Sequence, residues 1–205
     1  MNTFIEIGKE EKMELIKEID NYLKENLSEK RYNHSIGVMK RAEELAKIYG
    51  IDEYKAKACG LAHDIAKEIN KEEALKYIQE NNIIIDEVER INPGLWHAKI
   101  GADIVKKKFG FSEDMQKAIE YHNVSDPKMD MLAKIIYVAD KTELGRNTNS
   151  EYNVEYEREL SDKDIDEAMI YIINENTKNM LYKNKIIHPV SIETRNKLIY
   201  QKYLQ

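Results

Sequence analysis

The chain is poor in residues that interrupt helices: its 205 positions include three prolines and eight glycines. It has one cysteine, Cys59, which excludes an intrachain disulfide framework and a thiolate-rich zinc site. No run approaches the roughly 20 apolar residues that a membrane span requires. The opening residues, MNTFIEIGKEEK, place acids where a secretory signal carries basic and then apolar residues, so a cytoplasmic protein is expected. A basic block is missing too. The formal net charge is −6, which argues against a nucleic-acid partner with its need for an extended basic surface. Neither nucleic acid nor membrane is therefore expected as a partner. What is present is a chain 34% charged and 42% hydrophobic, long enough for one domain or one domain with an appendage.

Between Pro93, Pro127 and Pro189, apolar residues recur at helical spacing. Ile16, Ile19, Leu23 and Leu27 form one stripe, and Met39, Ala42, Leu45, Ala46 and Tyr49 form another that Gly50 is placed to end. Asp52 is placed to cap the helix carrying Ala56, Cys59 and His63, and Asn70 with Glu73 has capping-box spacing. Further helices are expected after Pro93–Gly94, closing near Gly110, then from Ser112, and then from Asp126–Pro127. No interior stretch alternates like a strand, so the fold class is all-α. Residues 147–161 are polar without a stripe and read as a connecting loop. Helices are expected over 162–183 and near 192–203. The organisation read from this is a core over 10–146, the polar loop 147–161, and a C-terminal helical extension, 162–205, packed on the core.

Chemistry concentrates in the histidines. His63–Asp64 lies in Gly-Leu-Ala-His-Asp-Ile-Ala-Lys, and Asp140 in Lys-Ile-Ile-Tyr-Val-Ala-Asp-Lys, both among apolar neighbours. A buried charge without a partner costs several kcal/mol, so partners are expected. One histidine alone is better explained as a satisfied core group than as a metal ligand. His34, His63, His97 and His122 with Asp64 and Asp140, drawn from on or beside five expected helices, form a better case for metal ligation. Imidazole and carboxylate suit iron, manganese, cobalt, nickel and zinc without a thiolate. A carboxylate has two oxygens and bridges two ions, which an imidazole cannot, so Asp64 is the natural bridge.

The ordered series His34, His63–Asp64, Asp140 resembles the signature of the HD-domain metal-dependent phosphohydrolases, and His97 with His122 resembles their two-metal subset. Arg31-Tyr32-Asn33-His34, Leu61 to Lys67, Leu95-Trp96-His97-Ala98, Ala118 to His122 and Ile136 to Lys141 resemble, more narrowly, the YqeK family of bacterial proteins. So does the tail segment Ile187-His188-Pro189. Asn123-Val124-Ser125 stands where that family usually has Thr-Thr-Gly, and Glu143-Leu144-Gly145-Arg146 lacks its usual proline.

The resemblance implies an HD-domain helical bundle that cleaves diadenosine tetraphosphate symmetrically to two ADP through a metal-bridging hydroxide. It implies two divalent ions, iron foremost. His34, His63, Asp64 and Asp140 would serve one, and His97, His122 and the second oxygen of Asp64 the other. Two alternatives stay open. One is an HD-family hydrolase of another nucleotide, such as a nucleoside mono- or triphosphate or a cyclic nucleotide. The other is a non-catalytic nucleotide-sensing helical module.

Lys67, at i+4 from His63, is either a phosphate-binding or catalytic group or a plain surface lysine. Arg146 either forks onto phosphate or pairs with Glu143. Arg31 is either substrate-binding or a solvated helix-start charge. His188 reads as a structural hydrogen-bonding residue, Cys59 as a buried small hydrophobe, and Trp96 as core packing rather than a stack for adenine.

Overall fold

Residues 8–146 and 153–204 are described by the computed structural model, and among them the chain forms eleven α-helices, one short 3-10 helix and no strand. The helices start and stop where local chemistry directs. After α1 (Lys9–Asn26), Ser28 caps α2 (Glu29–Tyr49), and Gly50 ends α2 in the left-handed region at φ 68°. The Asp52 carboxylate accepts from the amides of Tyr54 and Lys55 and opens α3 (Glu53–Ala62). Asn70 caps α4 (Lys71–Glu80) through the Glu73 amide, although the return bond of a full capping box is not formed. Gly110, at φ 64°, closes α6 (Trp96–Phe109), and α7 (Glu113–Tyr121) follows.

The α8 helix (Met131–Thr142) is the centre of the fold. It packs on α2, α3, α7, α9 (Val154–Lys163) and α10 (Ile165–Tyr182), and Ile135, Ile136, Val138 and Ala139 are fully buried in it. Each such Ile or Val contributes roughly 1.5–3 kcal/mol by leaving water. The α2 and α3 backbones approach closely at Gly60, where a Cβ would lie 2.9 Å from the Met39 Cα. The last helix, α11 (Pro189–Tyr203), has Pro189 in its first turn and packs on α10.

Two expectations are corrected, and two short elements are added. The polar stretch 147–161 is not a loop throughout: α9 begins at Val154, while 147–152 lie outside the described residues. Its inward face is Val154, Glu157 and Ser161, so two of three buried positions are polar and no apolar stripe announces the helix. Polar tethers hold it instead. Arg41 donates to Asp162 at 2.6 Å and to Ser161 at 2.8 Å, and Tyr49 donates to the Ser161 carbonyl at 2.7 Å. Next, α8 starts at Met131 under an Asp130 cap, and Asp126–Pro127 forms a preceding turn. The α5 helix (Glu87–Ile91), with its Asp86–Glu89 capping box, and the 3-10 helix Pro93–Leu95 were not anticipated, being too short to set up a period.

Candidate metal centre

The α3 helix stops at Ala62, and the chain continues through turns over 63–68, closed by bonds from the Ile65 amide to the Ala62 carbonyl and from the Lys67 amide to the Asp64 carbonyl. His63 and Asp64 thus sit at the end of a helix rather than within one. His34 comes from the first turns of α2, His97 from the start of α6, His122 from the end of α7 and Asp140 from the last turn of α8. The structure brings all six together. His63, Asp64, His97, His122 and Asp140 are buried, and His34 is half-buried.

Each imidazole is held the same way round. Nδ1 of His63, His97 and His122 lies 2.8, 2.8 and 2.6 Å from the carbonyls of Gly60, Gly94 and Ile119, three residues earlier in each case. His34 Nδ1 lies 3.2 Å from Glu143 Oε1. A ring that donates from Nδ1 keeps its Nε2 lone pair free, and all four Nε2 atoms converge on the two carboxylates. Asp64 Oδ2 lies 3.4 Å from His63 Nε2 and 3.9 Å from His34 Nε2. Asp64 Oδ1 lies 3.2 Å from His97 Nε2 and 3.5 Å from His122 Nε2. The two oxygens of one carboxylate therefore face two different histidine pairs. Asp140 Oδ1 lies 3.0 Å from His34 Nε2 and 3.8 Å from His63 Nε2.

These donors fit a divalent cation. Three overlapping groups, His34/His63/Asp64, His63/His122/Asp140 and Asp64/His97/His122, each gather ligand atoms within 4.8 Å of one another. His63 Nε2 and Asp64 Oδ1 are buried without a hydrogen-bond partner, which is costly for polar atoms that no cation joins. His97 and His122 face each other with Nε2 atoms 3.1 Å apart, lone pair to lone pair. Burial drives the His122 pKa down to about 4 and lowers that of His97, which keeps both rings neutral and able to ligate. Burial opposes ionisation of Asp64 and Asp140. The histidines around Asp64, and Lys141 with His34 at Asp140, outweigh it and hold both carboxyls well below their ordinary range.

A ring of cations surrounds this cluster. Arg31 Nη1 donates to Asp64 Oδ2 at 2.7 Å, and Arg146 Nη2 donates to Asp140 Oδ1 at 2.7 Å. Lys67 Nζ lies 3.1 Å from His97 Nε2 and 3.7 Å from Asp64 Oδ1. Arg31 is thus turned into the site rather than solvated at a helix start, and Arg146 pairs with Asp140. Lys141, Glu143 and Asn123 were not singled out by residue type alone. Lys141 Nζ reaches Asp140 Oδ2 at 2.5 Å, and Asn123 lines the cavity above the cluster. Gly37, one turn after His34, leaves the space that Glu143 fills: a Cβ there would lie 2.3 Å from Glu143 Oε2.

The remaining candidates lie elsewhere. His188 is 2.8 Å from Asp86 and caps α11; Cys59 is buried with Sγ 3.7 Å from the Met115 carbonyl; Trp96 is buried and donates to the Glu89 carbonyl at 2.7 Å. A cavity of about 560 Å³ opens over the cluster, with Arg31, Lys67, Asn123, Lys141, Arg146 and Glu157 in its walls. No helix among the described residues is long and apolar enough to cross a membrane.

A helical fold whose ordered histidines and aspartates meet in one pocket defines a class, and the HD domain family matches residues 31–145. The chain belongs to the HD domain family. It is 36% identical over 178 residues to the symmetrical bis(5'-nucleosyl)-tetraphosphatase of Bacillus subtilis (strain 168), covering 86% of this chain and 94% of that one. To the protein of the same name from Halalkalibacterium halodurans it is 35% identical over 181 residues, covering 88% and 95%. Among solved structures, a predicted HD superfamily hydrolase involved in NAD metabolism from Clostridium acetobutylicum superposes with a TM-score of 0.85 at 36% identity, covering 90% of this chain and 97% of that one.

Proposed function

We propose that this chain hydrolyses diadenosine tetraphosphate symmetrically to two ADP, as the names of its relatives describe for those proteins. The observation that carries the reading is Asp64, whose two oxygens face separate histidine pairs. His34, His63, Asp64 and Asp140 would hold one divalent ion, and His97, His122 and the other Asp64 oxygen a second. Iron is the proposed occupant, and manganese, cobalt and nickel accept the same donors. When bound, such a pair supplies Lewis acidity toward phosphoryl oxygens and a water acidified toward neutral pH.

The protein's own groups then bind and orient. Arg31, Lys67 and Arg146 are proposed as the substrate-binding cations, since each already bears on a carboxylate or imidazole at the cavity floor and can exchange it for a phosphate oxygen. Burial lowers the Lys67 pKa, and an anionic neighbour offsets that cost of holding charge. Glu143 holds the ring of His34, and the Gly60, Gly94 and Ile119 carbonyls hold the other three. Attack on a phosphoanhydride needs little from a protein beyond positioning and charge, and no serine or cysteine nucleophile is invoked. The compartment proposed is the cytoplasm, in keeping with the reduced, buried Cys59.

The test is anaerobic purification, a metal count, and incubation with diadenosine tetraphosphate. Two ions per chain and ADP as sole product are expected. AMP with ATP, or no turnover with both ions present, overturns the reading.

A further inference from the structure

The wall of the cavity over the cluster holds one carboxyl that the proposed metal centre does not use. Glu157, in the first turn of α9, is 3% exposed and lines that cavity together with the ligand carboxylates Asp64 and Asp140. It lies outside the 31–145 match to the HD domain. Beside it in the wall stand two buried apolar residues, Val154, three positions earlier, and Ile172 of α10. The cations nearby are committed elsewhere. Arg146 donates to Asp140 at 2.7 Å, Lys141 to Asp140 at 2.5 Å, and Arg158 to the carbonyls of Thr142 and Glu143 at 2.8 and 2.6 Å. Among the described residues none hydrogen-bonds or ion-pairs with the Glu157 side chain, so its free valence is the cavity. A buried carboxyl without a partner favours its uncharged form. Burial and the neighbouring Glu175 push its pKa up to about 7, against the pull of Arg146, Lys141 and Arg158. Uncharged, it has an O–H to donate; ionised, it only accepts.

We propose that Glu157 is a substrate-binding residue that works in its acid form, donating its carboxyl O–H to a phosphoryl oxygen of the bound polyphosphate and releasing the substrate when it ionises. The inference rests on the phosphoanhydride substrate proposed above and adds a proton to its binding equilibrium. The acid form binds and the carboxylate repels, so affinity is full at low pH and falls as pH rises through the titration of the free enzyme. The substrate does not imitate this behaviour. A tetraphosphate esterified at both ends has no terminal phosphate, and so no second proton that leaves near neutral pH. The groups facing Glu157 are Arg146 and Lys141 from the end of α8, Glu175 and Tyr171 from α10, and Arg158 of α9 itself. From α2, Arg41 is turned to Ser161 and Asp162 at the other end of α9.

The test uses diadenosine tetraphosphate with a methylene group in place of the central bridging oxygen, which is not hydrolysed there. Its affinity for the metal-containing protein is measured calorimetrically at pH 6 and pH 9, with metal content equal at both. The wild type should bind at least about tenfold more weakly at pH 9. Glu157→Gln keeps a donor and cannot ionise, so its affinity should change by less than about threefold. Glu157→Leu has neither donor nor charge; it should be equally flat, and about tenfold weaker than Glu157→Gln at pH 6. A wild type whose affinity is the same at both pH values overturns the proposal. So does a pH dependence that persists in both variants, or a Glu157→Leu protein that binds as tightly as Glu157→Gln at pH 6. The parent reading fails separately, on the products that the wild type forms from diadenosine tetraphosphate itself.

Discussion

At the scale of residues, the site is organised by which ring nitrogen is occupied. Three backbone carbonyls and one carboxylate take the four Nδ1 atoms, and the Nε2 atoms have nowhere to point but inward. Asp64→Ala is expected to abolish turnover and to leave at most one ion per chain, read by metal analysis of the purified variant; full metal content with full activity would contradict the bridging role. Gly37→Ala tests the less obvious support. The added Cβ has to displace the Glu143 carboxylate that orients His34, so metal affinity should drop about 10–100-fold with helical content preserved, measured by chelator competition and circular dichroism. The six converging residues were legible in the sequence because their types are chemically restricted and their neighbours apolar. Glu143 was not legible in that role, because its partner His34 lies 109 residues away and a single glutamate near a helix end has many uses.

At the scale of elements, caps and periodicity carried most of the information. Asp52, Asn70, Gly50 and Gly110 act where their side chains or backbone freedom predict, and the all-α reading follows from helix after helix without strand alternation. The exceptions share a cause. In α9, α5 and the Asp130-capped start of α8, the deciding interactions are tertiary or span a single turn, which a moving window over apolar residues does not register. The α2–α3 contact yields a prediction of its own. Gly60→Ala places a methyl against the backbone of Met39 and Val38, at 2.9 and 3.0 Å, where no flexible side chain can give way. A loss of about 1–3 kcal/mol is expected in urea denaturation, together with a shift of the His63–Asp64 turn that weakens metal binding.

At the scale of the molecule, charge is distributed against its own total. A net acidic chain gathers Arg31, Lys67, Lys141 and Arg146 around one cavity, and the bound ions would add to them. Removing metal by chelation should lower Tm by roughly 10–20 °C if both proposed sites are filled near 100 times Kd, measured by scanning calorimetry. Glu157 in the same cavity responds to pH. Burial pushes its pKa up to about 7 from an ordinary 4.5, against the pull of Arg146, Lys141 and Arg158 and with the push of Glu175. The folded state holds that proton longer than the unfolded one, so stability falls as pH rises from about 4.5 to about 7 and stays lower above. Glu157→Gln should therefore exceed the wild type in stability at pH 8 and match it near pH 4, in denaturant titrations of the metal-free chain.

The order of the donors along the chain has a temporal consequence. His34 is made early and Asp140 late, on the helix around which the others pack. During synthesis, the proposed centre lacks one carboxylate, and the packed support for the rest, until α8 has left the ribosome. Loading of the proposed centre would then be a late step, coupled to closure of the core, and a truncated product ending before residue 131 would carry five of the six donors without the helix that supports them.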